Sequence, residues 1–192
     1  MQEINDTECI RMVLRGQKEY FRYLVSRYQS KAYGLCFKIL KNQADAQEAA
    51  QEAFVKAYEA LPSFRIDSSF STWFYRIIYN TCMTKIRKDR FTFGLEPDHP
   101  ALSNYRDDNE AVRSLDAEDM KALLQDAYQA LNPGEVFMIE LFYREECSIE
   151  EIASMTGLSQ SNVKIKLFRA RQKMYDRIKS GLKEEILIWQ TK

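Results

Sequence analysis

The 192-residue sequence has few glycines and prolines, four cysteines and a single histidine. With only six glycines and four prolines, a fold of short strands joined by tight turns is disfavoured. No run of about 18 uncharged apolar residues occurs, which excludes a membrane-spanning helix. The amino terminus is polar and acidic and does not resemble a secretory signal. We therefore expect a cytoplasmic protein without membrane insertion.

The scarcity of cysteine and histidine disfavours metal sites and most hydrolytic mechanisms. No two cysteines have the CxxC spacing of common zinc sites, and we interpret all four as buried thiols: Cys9, Cys36, Cys82 and Cys147. Because His99 is the single histidine, any Ser-His-Asp or Cys-His catalytic arrangement would have to include it. Neither GxxxxGK[ST] nor GxGxxG occurs, so no nucleotide loop is indicated. We expect no enzyme, no cofactor and no metal.

The charge is balanced overall, with 28 basic and 28 acidic residues, but it is not evenly distributed. Residues 63–92 carry six bases and two acids, a net charge of +4. Residues 93–135 carry three bases and ten acids, a net charge of −7. Residues 160–183 carry eight bases and one acid, a net charge of +7. Two basic blocks separated by an acidic stretch indicate two docking places for a polyanion.

Apolar residues recur at helical spacing along most of the chain, which predicts an all-α fold. The predicted helices cover about residues 6–15, 19–41, 44–61, 69–90, 113–131 and 134–143, a short helix from 149 and a long one after 159. Asp6 is the predicted amino-terminal cap of the first of them. The periodicity disappears after residue 90, where glycine, proline and acidic residues accumulate. We predict two helical domains, residues 1–90 and 113–192, joined by a flexible acidic linker at 91–112.

The carboxy-terminal segment has the pattern of a helix-turn-helix. Ser148 and Glu151 have capping-box spacing, Gly157 suits the turn, and Ser159 can cap the following helix. That second helix is strongly basic and has one apolar face, formed by Val163, Leu167, Ala170, Met174 and Ile178. A helix of this kind fits the major groove of DNA, where lysine and arginine neutralise phosphates.

A second nucleic-acid signal lies in the amino-terminal half, where aromatic and basic residues alternate. The rings are Phe64, Phe70, Trp73, Phe74, Tyr75 and Tyr79, and the nearby bases include Arg65 and Arg76. Rings can stack on unpaired bases while cations hold the backbone of a single strand. The alternative is that the rings fill a hydrophobic core, and we expect at least half of them to do so.

Two sets of motifs carry a family resemblance. Asp45–Tyr58 (DAQEAAQEAFVKAY), Phe64-Arg65 and Phe70–Ile77 (FSTWFYRI) resemble the sigma-2 domain of bacterial extracytoplasmic-function sigma factors of the sigma-70 family. Leu131-Asn132-Pro133, Ser148–Ala153, Gly157-Leu158-Ser159 and Val163–Arg171 resemble their sigma-4 domain. The order of the motifs and the length of the chain also match.

The resemblance implies an RNA polymerase sigma factor that binds core polymerase and melts the −10 element of the promoter. Contact with the polymerase clamp helices is implied for Glu48, Gln51, Glu52 and Val55. Capture of the −10 strand is implied for Phe64, Arg65, Asp67, Ser68, Phe70, Arg76 and Asn80, although Ile66 stands where family loops often have glycine. Readout of the −35 element is implied for Ser161, Asn162, Lys164, Ile165, Phe168, Arg169 and Arg171. The polymerase flap and an anti-sigma factor are further implied partners.

Two other functions remain compatible with the residue patterns. The chain could be a helix-turn-helix transcriptional regulator that binds duplex DNA without polymerase and uses its first domain for dimerisation or sensing. It could also be a helical scaffold without a nucleic-acid role. The regulator would bind its site tightly when alone, whereas the scaffold would show no salt-dependent DNA binding.

Overall fold

A computed structural model describes residues 4–65, 69–93 and 117–190, and within these ranges all regular structure is helical. The helices are α1 (Asp6–Leu14), α2 (Phe21–Leu40), α3 (Gln43–Ala60), α4 (Phe70–Phe93), α5 (Ala117–Gln129), α6 (Pro133–Tyr143), α7 (Ile149–Thr156) and α8 (Gln160–Gln190). Short 3₁₀ turns precede α2 and follow α3. The predicted all-α class is confirmed.

The helix boundaries follow from local residue chemistry, with one correction at the start of the chain. Asn5, and not the predicted Asp6, caps α1 by accepting a hydrogen bond from the Glu8 amide (2.9 Å). Asp6 is free for tertiary contacts, and its carboxylate accepts from the Tyr28 hydroxyl (2.5 Å). Lys41 ends α2 in the left-handed conformation (φ 56°), which lets the chain turn sharply into α3.

Three helices of the N-terminal half, residues 4–93, pack around an aromatic centre. The side of α3 that faces α2 and α4 is built from alanines, which allows the backbones to approach closely. Phe74 of α4 is fully buried and packs its ring against Phe54 of α3, with a centroid distance of 4.6 Å. This half therefore places the outer face of α3 and the solvent side of α4 at its surface.

The C-terminal half, residues 117–190, is organised around α6. Asn132 and Glu135 form a capping box at its start, and Pro133 occupies the first turn. The Glu135 carboxylate is buried and accepts from Lys173 Nζ on α8, at 2.8 and 2.9 Å. α8 also packs against α5, where a Cβ on Gly181 would lie 2.7 Å from Leu123.

The two halves are in direct contact along a surface that we call the seam, formed by α2 and α4 on one side and α6 and α7 on the other. Tyr79 of α4 and Phe137 of α6 pack with ring centroids 4.6 Å apart. One continuous cluster of buried apolar residues extends through both halves. The sequence predicted two domains but did not predict this contact.

The predicted linker at 91–112 lies outside the described residues, except for residues 91–93. Those three extend α4 beyond its predicted end at residue 90. The aromatic–basic loop is likewise described only at its two ends, because Ile66, Asp67 and Ser68 fall outside the described ranges.

Removing the cap of α3 provides a test of its local stability. Asn42 Oδ1 accepts from the Asp45 amide (3.0 Å) at the start of this helix. Asn42→Ala should lower the free energy of unfolding by about 1 kcal/mol. Asn42→Ser should keep most of the wild-type stability, because serine also caps helices well. Urea denaturation followed by circular dichroism measures both, with Gln43→Ala as the neighbouring exposed control. Equal loss in the alanine and serine variants would contradict the capping role.

Candidate polymerase and promoter interface

The helix-turn-helix is built as the sequence predicted. Ser148 Oγ accepts from the Glu151 amide (3.2 Å), and Glu151 Oε2 accepts from the Ser148 amide (2.8 Å). The hydrogen bond from the Ser148 backbone lowers the pKa of Glu151. Gly157 ends α7 at φ 73°, a conformation that disfavours other residues. Ser159 Oγ accepts from the Asn162 amide (3.2 Å) at the start of α8.

One face of α8 is buried and the opposite face is open to solvent. Val163, Leu167 and Ala170 pack inward. Every residue expected at the −35 element is exposed, namely Ser161, Asn162, Lys164, Ile165, Phe168, Arg169 and Arg171. The Phe168 ring is 60% exposed between basic neighbours. A helix face that combines cations, amide and hydroxyl groups and exposed apolar carbon suits base edges, thymine methyls and phosphates.

The aromatic residues of the N-terminal half form mainly a core cluster. Phe70 is only 3% exposed and stacks on Phe74, and Phe64 packs against Trp73 with a centroid distance of 5.0 Å. Phe64 and Trp73 are partly accessible at the edge of this cluster. In this conformation Phe70 contacts the Phe64 ring, with a centroid distance of 6.2 Å, and does not itself face solvent. The expectation that at least half of the rings are core is met by Phe70, Phe74 and Tyr75.

The polar residues expected at the −10 element are exposed where the structure describes them. Arg65 lies at the end of the described loop, and Arg76 and Asn80 lie one helical turn apart on the solvent side of α4. The other two polar members, Asp67 and Ser68, fall among the residues that the structure does not describe. The three described side chains are exposed, and Phe64 and Trp73 of the same half are partly accessible.

The residues expected to contact polymerase share the outer face of α3. Glu48, Gln51, Glu52 and Val55 are all exposed, and Val55 leaves 57% of its surface in solvent. Lys85 Nζ of α4 donates to Glu48 Oε2 (2.6 Å), and this hydrogen bond raises the pKa of Lys85. Glu52 is likewise paired, with Lys56 Nζ (2.7 Å). The face therefore combines ion-paired carboxylates with an exposed apolar residue, Val55.

One aromatic feature beside this face was not predicted from the sequence. Tyr33 and Phe37 of α2 stack at the surface with a centroid distance of 6.1 Å and an interplanar angle of 21°. Both rings are more than one-third exposed, and Tyr33 lines a groove that also includes Gln51. The signal was present in the sequence as two aromatics four residues apart, but helical spacing alone does not say which face is covered.

The described residues contain no group of three or more histidine, cysteine or acidic side chains that could hold a metal ion. All four cysteines are buried thiols, and burial raises the pKa of Cys147 to about 11. Cys36 and Cys82 approach each other with their Sγ atoms 3.7 Å apart. Across the described helices, none is both long and apolar enough to cross a membrane.

Comparison with known proteins assigns a class to both halves. Residues 24–92 match the family model for sigma-70 region 2, and residues 121–174 match the model for sigma-70 region 4. The first range covers most of α2, all of α3 and nearly all of α4, and the second covers α6, α7 and the first half of α8. The fold and its exposed surfaces thus define a sigma-70-type transcription initiation factor, a class that acts with RNA polymerase and does not itself catalyse a reaction.

Relatives that match along most of their length identify the family within this class. The chain is 32% identical to the RNA polymerase sigma-H factor of Pseudomonas aeruginosa over 93% of its own length and 96% of that protein. It is 31% identical to the ECF RNA polymerase sigma factor SigW of Bacillus subtilis over 85% of its length and 91% of that protein. The chain belongs to the extracytoplasmic-function (ECF) family of RNA polymerase sigma factors. A regulator that uses only its helix-turn-helix is not favoured, because the N-terminal half matches as well.

Two solved structures share the fold. The sigma factor RpoE of Bartonella quintana, in complex with the anti-sigma factor NepR, aligns with a TM-score of 0.63 at 20% identity, covering 83% of this chain and 96% of that one. CnrH, in complex with the cytosolic domain of CnrY, aligns with a TM-score of 0.63 at 22% identity, covering 90% and 96%. At these identities the likeness concerns the fold alone.

Proposed function

We propose that this sigma factor contacts core polymerase through the outer face of α3, reads the −35 element with α8 and captures the −10 strand beside the start of α4. The observation that carries the proposal is the exposed face of α8. Apolar residues such as Ile165 and Phe168 lie in solvent there, among exposed cations. These side chains do not contribute to the hydrophobic core, and we infer that they contact a partner surface.

The polymerase-binding role is proposed for Glu48, Gln51, Glu52 and Val55 with the clamp helices as the partner. Their face of polar and charged groups around an exposed apolar residue suits a helical surface that is itself partly polar and partly apolar. We further propose that the C-terminal half contacts the polymerase flap, so that the polymerase fixes the spacing of the two halves. Because promoter DNA and RNA polymerase are in the bacterial cytoplasm, we propose that the protein functions there.

At the −10 element, we propose that exposed polar side chains contact the DNA strand while buried aromatic rings support them. Arg65, Arg76 and Asn80 contact the displaced strand, since all three are exposed on the N-terminal half. Asp67 and Ser68 would complete the pocket. Phe64 offers a partly accessible ring, whereas Phe70 is buried in the core and packs against Phe64. Stacking of an unpaired base against an aromatic edge, together with nearby cations, is the chemistry that single-strand capture requires.

An anti-sigma factor is proposed as the regulatory partner. RpoE of Bartonella quintana and CnrH, which share this fold, were both solved as complexes, RpoE with the anti-sigma factor NepR and CnrH with the cytosolic domain of CnrY. A protein that wedges between the halves would cover the clamp-binding face of α3 and the sigma-4 surface together. Partner capture from the native organism, followed by competition with core polymerase, would test this proposal.

Run-off transcription with purified core polymerase and genomic fragments tests the main function. We expect the chain alone to bind duplex DNA weakly and the chain with core polymerase to start transcription at specific sites. The physical reason is that one half is suited to duplex and the other to a single strand, while polymerase sets their separation. Tight, sequence-specific binding without polymerase would contradict this and support the simple regulator.

Two substitutions on α8 test the readout of the −35 element. Lys164→Ala and Arg169→Ala should each weaken promoter recognition by about 1–3 kcal/mol at one base position if the side chain contacts a base. Holoenzyme binding to a set of single-base promoter variants measures the position of the loss. Lys166→Ala serves as the comparison, because we propose that this exposed lysine contacts phosphate. Loss of a phosphate contact lowers affinity evenly across sequences and reduces the salt slope by about one.

The melting temperature provides the control for these variants. Both side chains are exposed and outside the packed face of α8, so the unfolding transition should hardly move. A collapse of the fold in either variant would mean that the assignment of the helix faces is wrong.

A further inference from the structure

We propose that Tyr143, the last residue of α6, is a positioning residue for the −35 interface, because its hydroxyl orients the Arg171 guanidinium of α8 for contact with a DNA phosphate. This inference rests on the proposed function, which assigns the exposed face of α8 to the −35 element. Tyr143 lies outside α7 and α8, the two helices of the helix-turn-helix. The proposal therefore extends the −35 interface to a third helix.

The contact joins two helices that are distant in sequence but packed on each other. Arg171 Nη1 donates to the Tyr143 hydroxyl oxygen (3.4 Å), across 28 residues of the chain. Tyr143 is 54% exposed, and the Phe142 ring packs edge-on against its ring with a centroid distance of 5.0 Å. The preceding residues of α6, Glu135 to Leu141, are all buried. The acceptor is thus attached to a helix with little freedom to move.

The acceptor is neutral, and this distinguishes Arg171 from other cations further along α8. Lys173 donates to the buried carboxylate of Glu135, and Arg177 pairs with Asp126 (2.6 Å). Among the residues that the structure describes, no carboxylate forms an ion pair with Arg171. A phenol is neutral at neutral pH, so it can orient the guanidinium without compensating its charge. The full positive charge remains available for a phosphate, the group that arginine binds most strongly in nucleic acids.

The position of Arg171 along α8 suits a phosphate better than a base. Lys164, Phe168 and Arg171 are exposed and are spaced four and three residues apart, so they share one side of the helix. The seven residues from Lys164 to Arg171 span about 10 Å along the helix axis. A recognition helix enters the major groove with its first turns, and the groove is about 8.5 Å deep. With Lys164 at the base edges, Arg171 would lie at the level of the phosphates.

Orienting the guanidinium in advance should raise the affinity for the promoter without adding an ionic contact. A free arginine side chain samples many rotamers and loses that freedom when it binds. The hydrogen bond to Tyr143 restricts Arg171 before DNA arrives, so less conformational entropy is lost in the complex. Because phosphates are the same at every base pair, the effect of Tyr143 should be independent of promoter sequence.

A double-mutant cycle tests this role with the complete holoenzyme. Tyr143→Phe keeps the ring and removes only the hydroxyl, Arg171→Ala removes the cation, and the third variant combines both. Each is assembled with core polymerase, and its affinity for the duplex promoter fragment selected by run-off transcription is measured over a range of salt concentrations. Tyr175→Phe is the matched control, because it removes the hydroxyl of another exposed tyrosine, one without a hydrogen bond among the described residues.

We expect Tyr143→Phe to weaken promoter binding roughly 2- to 10-fold and to leave the salt slope unchanged, since the cation is still present. Arg171→Ala should weaken binding further and reduce the salt slope by about one. In the Arg171→Ala background, Tyr143→Phe should have no additional effect. Both side chains are exposed, so the melting temperature should hardly change in any variant. The control should match wild type in affinity and in slope.

Three results would overturn the inference, and each has a different meaning. Full affinity of Tyr143→Phe beside a weakened Arg171→Ala would show that the hydroxyl does not position the guanidinium. An equal loss from Tyr143→Phe with and without Arg171 would show that Tyr143 acts independently, for example by contacting DNA itself. Unchanged affinity and slope in Arg171→Ala would show that Arg171 does not contact the promoter. Failure of the proposed function differs from all three, because the wild-type chain with core polymerase would then select no promoter.

Discussion

Phe74→Ala is expected to lower the free energy of unfolding of the N-terminal half by about 3–5 kcal/mol. The Phe74 side chain is fully buried at the centre of this half, and its ring contacts Phe54, Phe70 and Tyr28, with centroid distances of 4.6, 5.6 and 6.0 Å. Removal of the ring leaves a cavity among aromatics that cannot easily collapse. Urea denaturation followed by tryptophan fluorescence measures the loss, since Trp73 is adjacent.

Val55→Ala is the matched control for this prediction. It also removes apolar atoms from a helix of the same half, but from a side chain that is 57% exposed. The free energy of unfolding should change by less than about 0.5 kcal/mol. Core polymerase binding should weaken if the outer face of α3 is the contact surface. A Phe74→Ala variant no less stable than Val55→Ala would contradict the packing described here.

The functional consequence of the Phe74 cavity follows from its neighbours. Phe70 stacks on Phe74 and begins α4 directly after the proposed −10 loop. Loss of this support should affect promoter opening more than binding of the −35 element, which α8 performs in the other half. Holoenzyme made with this variant, at a temperature where it remains folded, should retain −35 contacts in footprinting while opening the −10 region less.

The helix-turn-helix was predictable because its signals are local. Ser148 and Glu151 lie three residues apart, and their reciprocal hydrogen bonds depend only on the first turn of α7. Gly157 and Ser159 likewise act within a few residues of their positions. The resemblance to a known family then assigned roles to exposed residues that local chemistry alone could not distinguish from an ordinary solvated face.

The seam was not predictable, because its partners are distant in sequence. Lys31 and Glu145 are 114 residues apart, and no periodicity relates them. Glu140 did carry a signal, since a carboxylate within the apolar run of α6 requires a buried partner. The sequence could not show that this partner is Lys38 of the other half, because many lysines were available. The choice of Asn5 over Asp6 as a cap was missed for a related reason: Asp6 is used by Tyr28, a tertiary contact.

Lys173→Met is the second substitution expected to have a large effect, and it acts on the C-terminal half. Lys173 Nζ contacts both carboxylate oxygens of Glu135, whose side chain is 7% exposed. Without the lysine, the carboxylate remains buried with only the backbone amide of Asn132 as a donor (3.0 Å). We expect a loss of about 2–3 kcal/mol, below the 3–5 kcal/mol of a fully enclosed pair because Lys173 is partly exposed.

A double-mutant cycle separates the buried charge from lost packing. Glu135→Gln removes the charge and keeps an amide oxygen that can accept from Asn132, so Glu135→Gln with Lys173→Met should be more stable than Lys173→Met alone. Lys166→Met, an exposed lysine of the same helix, should change the free energy of unfolding by less than about 0.5 kcal/mol. The cycle compares the effect of Glu135→Gln in the wild-type chain with its effect in the Lys173→Met variant. If Glu135→Gln lowers the free energy of unfolding by the same amount in both, the two side chains are energetically independent. In that case the ion pair does not hold α6 against α8, and apolar packing, such as that of Val136 and Val163, would have to do so.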